Sequence, residues 1–364
     1  MHPEPSTVCS HGLPSAGRWG RIKAGATRVS KSADRLKKAM PAQPLKILAL
    51  IAVTAAAVWL AGCKRTNPAT SPPTHSFRGS NSQFVIGVSQ GNLVDPWRLQ
   101  METDITVAAA AHSELAVIFK NARNDTASQR TQVGEFVSSR VDLLIISPNE
   151  SGSLTESVAR ALGMGIPVIV LDRGPLPGRC TCFIGGDNQK IGRAVGQWAA
   201  GALGGKGNVL ELMGPRNSPS ARDRHRGFLA GLAGSKIHVL LSADTEGLEV
   251  DARREMELTL ANFSQIDLVF AHDDTIARGA YQAAQAAGRE KQIQFVDIDG
   301  LPHEGIAEVK QGILAATFQF PTGGAEAIDT ALRILHGDNV PPEILLGTRL
   351  FTRGNAAQGG VGLP

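Results

Sequence analysis

Along this chain, short runs of β-branched and aliphatic residues alternate with longer stretches of helical spacing. The runs fall at 84–88, 115–119, 142–146, 167–171, 208–212, 237–241, 267–270, 294–298 and 314–318. Between most of them, at 97–111, 128–139, 154–162, 190–203, 221–232, 250–261, 275–287 and 323–335, apolar residues recur at helical spacing. Strand, helix, strand in this rhythm predicts βαβ units and parallel sheets. A run as continuously apolar as Pro167-Val168-Ile169-Val170-Leu171 suits a strand covered on both faces. The predicted class is α/β, with two doubly wound parallel-sheet lobes. A closed eight-fold barrel is the architectural alternative.

The first 82 residues break the rhythm. Residues 1–39 are polar and basic, with no sustained apolar period. After Met40 and Lys46 comes an apolar run, 47–62, interrupted only by Thr54 and ending Leu60-Ala61-Gly62-Cys63. It is short for a membrane span, which needs about 20 residues. Basic residues, a short apolar stretch and small residues predict a secretory signal. The ending resembles the bacterial lipobox, which implies lipidation at Cys63. A buried apolar helix or an uncleaved anchor are the alternatives. Residues 1–62 are therefore an N-terminal extension and signal, and 63–82, rich in Pro, Ser, Thr and Asn, a predicted flexible tether.

Composition narrows the function. The chain has 364 residues, 42% hydrophobic and 19% charged, which excludes a wholly disordered chain or a coiled coil. The net charge of +4 is misleading, because residues 1–62 hold nine Lys/Arg and two Asp/Glu. The remainder carries 28 basic and 31 acidic residues, which argues against a nucleic-acid-binding body. In an extended Cys180-Thr181-Cys182, both thiols would share a face with Cα atoms about 6–7 Å apart, at the limit for a disulfide. Two separate thiols is the simpler outcome. His272-Asp273-Asp274 are neighbours whose side chains diverge at a strand end, so no metal is predicted. The glycine-rich 201–207 lacks Walker spacing, and no cofactor is predicted.

In open α/β sheets, ligands bind beyond the carboxyl ends of the strands. Those ends carry Asp95-Pro96-Trp97-Arg98, Ser147-Pro148-Asn149, Asp172-Arg173, His272-Asp273-Asp274, Asp299-Gly300 and Gln319. Arg222 and Arg224 open a helix after the run at 208–212. Each carboxylate taken singly is most simply a helix cap. Together, carboxylates, arginines, an amide and a Trp converge, without a Ser-His-Asp order or a nucleophile elbow. Charge-assisted bonds to paired hydroxyls, beside a flat apolar face for C–H groups, suit a sugar.

Over roughly residues 83–355, these segments resemble the pentose/hexose periplasmic binding proteins of ABC importers, of the ribose- and galactofuranose-binding type. Phe183-Ile184-Gly185-Gly186-Asp187-Asn188, Ala221-Arg222-Asp223-Arg224-His225-Arg226-Gly227-Phe228 and Ala315-Ala316-Thr317-Phe318-Gln319 complete the likeness. The resemblance implies ligand contacts at Trp97, Arg98, Ser147, Asp172, Arg173, Arg224, Asp273, Asp299 and Gln319. Met101 or Glu102, one helical turn after Trp97, would face the same pocket. Asp273 stands where Asn is common, and Ser147 where ribose-type members carry Asn. Gly247 and Leu248 replace the aromatic usual before the helix near Val250.

The resemblance also implies three hinge crossings, near Gly186-Asp187, Gln319-Phe320 and Gly347-Thr348. The N-terminal lobe would be 83–186 and 320–347, and the C-terminal lobe 187–319 and 348–364. The chain is thus expected to be a monomeric extracytoplasmic binding protein, in the periplasm or cell envelope, anchored through lipidated Cys63. It would pass a monosaccharide to an ABC permease, with no enzymatic activity and no nucleic-acid partner. A sensor presenting sugar to a membrane receptor kinase is the alternative. A sugar-binding transcription regulator would need an N-terminal helix-turn-helix where the signal stands. A sugar-acting enzyme would draw its acid and base from Asp172, Asp273 or Asp299.

Overall fold

The computed structural model describes residues 75–79, 81–150, 152–173 and 179–363. All of them lie in one compact unit, Thr70–Pro364. The basic segment, the apolar run and Cys63 lie outside the described residues.

The chain begins with β1 (His75–Arg78), β2 (Phe84–Gln90), α1 (Pro96–Ala110), β3 (Leu115–Asn121), α2 (Thr126–Ser138), β4 (Leu143–Ser147), α3 (Thr155–Gly163), β5 (Val168–Leu171) and β6 (Cys182–Gly186). It passes to a second sheet with α4 (Asn188–Ala202), β7 (Lys206–Met213), α5 (Pro219–Gly231), β8 (Lys236–Asp244), α6 (Glu249–Asn262), β9 (Leu268–Ala271), α7 (Asp274–Ala286), β10 (Gln294–Asp299), α8 (Gly305–Gln311) and β11 (Ala316–Gln319). It returns for α9 (Gly324–Leu335) and β12 (Glu343–Leu346), then crosses again to β13 (Arg349–Thr352) and β14 (Val361–Gly362). The sheet orders are β1-β3-β2-β4-β5-β6-β12 and β14-β13-β11-β10-β9-β7-β8. Two doubly wound lobes joined by three crossings follow directly.

The strands are buried because helices cover both faces. On the first sheet, Ile86, Leu143, Ile145 and Ile169 cluster with Met101 and Ile105 of α1 and Ile328 of α9. Leu144, Ile146, Val168 and Val170 face the opposite way, onto Val133 and Phe136 of α2 and Val158 of α3. The second sheet divides likewise between Ile191, Val195 and Phe228 on one side and Met256, Ile276 and Val309 on the other. Alternating sides along a wholly apolar strand is what a two-faced parallel sheet requires.

Two features refine the expectation. The sheets are not wholly parallel: β1 on β3, β13 on β11 and β14 on β13 pair antiparallel. A short returning strand can close a sheet edge this way without a crossover helix. β1 also lies inside the segment 63–82 predicted as a tether. Phe77 packs half-buried against the first core, and Gly79 N donates to Leu115 O at 2.8 Å, so the ordered body starts earlier than residue 83. Cys180 and Cys182 are free thiols that join different core clusters, the simpler of the two outcomes open in the sequence.

Candidate functional site

The cleft between the lobes has a volume of about 560 Å³ and is lined from both sides. That lies in the usual range for small-molecule sites. Its first wall starts where β2 gives way to α1. Asp95 caps the helix, accepting from Trp97 N at 2.9 Å, and Pro96 suits the first turn. The cap fixes the direction of the next two side chains. Trp97 Nε1 donates to Phe320 O at 2.9 Å, and the two rings lie 5.6 Å apart.

Arg98 is only 1% exposed, yet it reaches the cleft. Its guanidinium donates to Ser147 Oγ at 2.5 Å, Pro148 O at 3.3 Å and Asp172 Oδ2 at 3.4 Å. Burial lowers its pKa, and Asp172 acts against that shift. Asp172, just past β5, has φ +63°, an αL conformation costly for a non-glycine residue. Arg173 lies 3.7 Å from Asp172 and donates to Asn149 O.

The second wall depends on a close helix contact. A Cβ on Gly192 of α4 would lie 2.2 Å from Arg224 O of α5, so only glycine permits this approach. The contact brings Arg224 Nε within 2.8 Å of Asn188 Oδ1. Arg224 also donates to His272 O, stands 3.8 Å from Asp299 and lies 4.8 Å over the Phe320 ring. Asp273 caps α7, accepting from Ile276 N at 2.7 Å. Asp299, at the end of β10, has φ +97°.

Behind this wall, Asp274 accepts from Gly300 N, Leu301 N and Gly305 N at 3.0–3.1 Å, which ties down the loop bearing Asp299. Glu211 accepts from Ser242 at 2.6 Å and bonds to His225 at 2.7 Å and His272 at 3.1 Å. Burial opposes its ionisation, but bonds from His225, His272 and Ser242 outweigh that and hold it at about 2. Desolvation pushes Asp273 up to about 7 and Asp274 to about 6, and raises Asp299 well above its ordinary value. Neighbouring carboxylates add to all three.

Of the residues singled out in the sequence, Trp97, Arg98, Asp172, Arg173, Arg224, Asp273 and Asp299 line this one cleft. Three others do not. Ser147 stands behind Arg98, and Glu102 accepts from Gln90 Nε2 at 3.2 Å in the same buried layer. Ser147 is set back by the length of Arg98, whose guanidinium donates to it. Gln319 opens with Asp299 onto a smaller neighbouring recess. Cys63 lies outside the described residues. Phe320 is the principal residue not anticipated as a ligand-facing ring. Its place at a hinge crossing was visible in the sequence, but its contact with Trp97, 223 positions away, was not.

Comparison with known proteins agrees with this layout. The model of the periplasmic binding protein domain matches residues 86–339. The ribose import binding protein RbsB of Bacillus subtilis is 32% identical over 301 residues, covering 81% of this chain and 95% of that protein. The solved fructose binding periplasmic domain of a hybrid two-component system is 40% identical, with TM-score 0.70, over 76% of this chain and 93% of that one. An ABC transporter solute binding protein from Bacillus halodurans with bound myo-inositol is 27% identical, with TM-score 0.71, over 77% and 98%. The matched span runs through both sheets and across the first two crossings, so it covers far more than a single motif. The chain belongs to the periplasmic binding protein family, a family of extracytoplasmic binding proteins and not of enzymes.

Proposed function

We propose that this protein captures a monosaccharide in its inter-lobe cleft and delivers it to the membrane subunits of an ABC sugar importer, held at the envelope by lipidated Cys63. The observation that carries the proposal is the pairing of opposed walls. Asp172 with Arg98 and Arg173 faces Asp299 with Arg224, and the Trp97 and Phe320 rings lie beside them. Charged pairs offer fixed donors and acceptors to vicinal hydroxyls, and aromatic faces take the C–H side of the ring. Each wall belongs to a different lobe, so a sugar touching both would favour hinge closure, and a closed form is what a permease can distinguish.

A second role has a specific observation in its favour. The 40% identity to the fructose binding domain of a hybrid two-component system makes a sensing role the alternative, and D-fructose the first sugar to try. A thermal-shift series on the full chain with D-fructose, D-ribose, D-allose and myo-inositol tests the binding step. A sugar at 100 times its Kd should add about 2.7 kcal/mol of stability. No shift with any of them would defeat the sugar assignment, and consumption of the sugar would defeat the binding-only role. Loss of labelled-lipid incorporation in Cys63→Ser would support the anchor. Uptake of labelled sugar lost on deleting the protein would favour import over sensing.

A further inference from the structure

Charge is not balanced on the second wall. Arg224 is the guanidinium that faces both Asp273 and Asp299, and its donors are already engaged by Asn188, the His272 carbonyl and Asp299. Its flat face lies against Phe320. Asp273 uses Oδ1 on the cap of α7, and among the described residues no ion pair reaches it. The charged or titratable groups that act on it are Asp274 and His272 on its own segment, Arg224 from α5, Asp299 from β10 and Asp95 from the opposite wall, while Arg278, further along α7, lines the same cleft and is paired with Glu249, Glu304 and Glu308. His272 is buried and its pKa is lowered by that burial, so it supplies no compensating charge.

Three carboxylates and one committed cation thus surround Asp273. Desolvation and the neighbouring acids lift its carboxyl to about 7, against the opposing pull of the Ile276 N–H and Arg224. Closing the cleft over a neutral ligand would remove more water and bring Asp95 nearer. An ionised Asp273 would then be sealed without a partner, which is costly. A protonated carboxyl offers one donor and one acceptor, as an amide does.

We propose that Asp273 enters the sugar complex as a neutral carboxylic acid, donating a hydrogen bond to a ligand oxygen while Oδ1 keeps the helix cap, so that capture of one neutral sugar takes up one proton. The proposal rests on the sugar-binding function above and adds a selection rule to it. The position requires an acceptor oxygen on the ligand, not a hydroxyl that can only be used as a donor. A ligand with an ammonium group is the competing solution to the same imbalance, because it would neutralise Asp273 without a proton.

Calorimetry of D-fructose, D-ribose and D-glucosamine with the full chain, in phosphate and in Tris at pH 8, separates these cases. Buffers of different ionisation enthalpy report proton uptake directly. From a free carboxyl titrating at about 7, the expected uptake is about 0.9 proton per neutral sugar at pH 8, and Kd should rise about 90-fold from pH 6 to pH 9. In Asp273→Asn the uptake should vanish and the pH slope flatten. A neutral sugar bound with no uptake overturns the proposal. So does D-glucosamine bound more tightly than D-fructose at pH 6, where its amine is charged and pairing with Asp273 would release a proton. A ligand-free arm stands apart from the sugar assignment: carboxyl carbon NMR of aspartate-labelled protein, with Asp273 assigned by its loss in Asp273→Asn. A midpoint near neutrality supports the proposal and one below pH 5 overturns it. If every sugar fails to bind, the sugar-binding function falls while this titration still decides the state of Asp273.

Discussion

The two walls of the cleft use the same residue types in different proportion, balanced on the first and rich in carboxylates on the second. In the first wall every carboxylate has a guanidinium: Asp172 has Arg98 at 3.4 Å and Arg173 at 3.7 Å, and Asp95 has Arg98 at 3.8 Å. In the second, Arg224 serves Asp299 at 3.8 Å, and no cation serves Asp273. The first wall is therefore a pre-assembled platform whose charge is settled before ligand arrives. The second leaves its charge to be settled by a ligand or a proton. Arg98→Met would break the contrast most severely. It leaves Asp172 short of its buried partner and Ser147 without its donor. Removing one member of a buried pair costs about 3–5 kcal/mol. Denaturant melts should show that loss, with sugar binding abolished. A loss below about 1 kcal/mol would mean that the first wall is not held by its charges.

Arg224→Met probes the other side and should separate stability from affinity. Its guanidinium is 11% exposed against 1% for Arg98, so the fold should lose less than in Arg98→Met. Affinity should fall at least about 100-fold, because truncating one partner of a charged contact in a binding site costs about 2–5 kcal/mol. Calorimetry and melting of the two variants side by side provide the check. Equal destabilisation by both would erase the asymmetry between the walls.

How much of this was legible in the sequence depended on the range of the interaction that fixes each part. β5 and β9 are continuous apolar runs and β4 departs from one only at Ser147, and their type follows from composition alone. β6 is interrupted by Gly185 and Gly186, while β12 alternates exposed and half-buried positions. Neither has a local signature. Each is a strand because the other, about 160 residues distant, pairs with it from Glu343↔Phe183 to Leu346↔Gly186. The same division holds in the site. Asp95 and Asp273 stood out because a cap after a strand is a local pattern. Asn188 as the holder of Arg224, and Phe320 as its ring partner, depend on tertiary placement. Ser147 and Glu102 were found as polar residues in the right region, and tertiary contacts, with Arg98 for Ser147 and Gln90 for Glu102, place them behind the surface.

The charge imbalance extends beneath the second wall, where a smaller effect is expected. Asp297 is fully buried beside Asp274 and Thr317. Burial and then Asp274 raise its pKa well above the ordinary value. A raised carboxyl binds a proton in the folded state that the unfolded chain gives up, so stability falls as pH rises above about 4. Asp297→Asn removes this cost and supplies an N–H toward Asp274. It should stabilise the protein by about 1–3 kcal/mol at pH 8, and the gain should shrink as pH falls toward 4. Melting at several pH values tests it. The same gain at every pH would mean that Asp297 does not titrate on unfolding.

The smallest expected effect comes from a well-paired carboxylate beneath the second wall. Glu211 is fully buried, and its bond to His225 raises the imidazole pKa, with burial working against it. A histidine with a raised folded-state pKa stabilises below its unfolded value, near 6.5, and loses that contribution as pH rises through the folded value. His225 is about one-third exposed, so screening limits the contribution to less than about 1 kcal/mol. His225→Gln keeps a donor toward Glu211 and removes the charge. It should lower the melting temperature slightly at pH 5.5 and leave it unchanged at pH 8.5. That is the reverse of the pH dependence expected for Asp297→Asn, whose effect is largest in base. If both variants shifted the melt in the same pH range, proton binding would not distinguish the paired carboxylate from the unpaired one. The contrast between settled and unsettled charge would then have no thermodynamic content beneath the second wall.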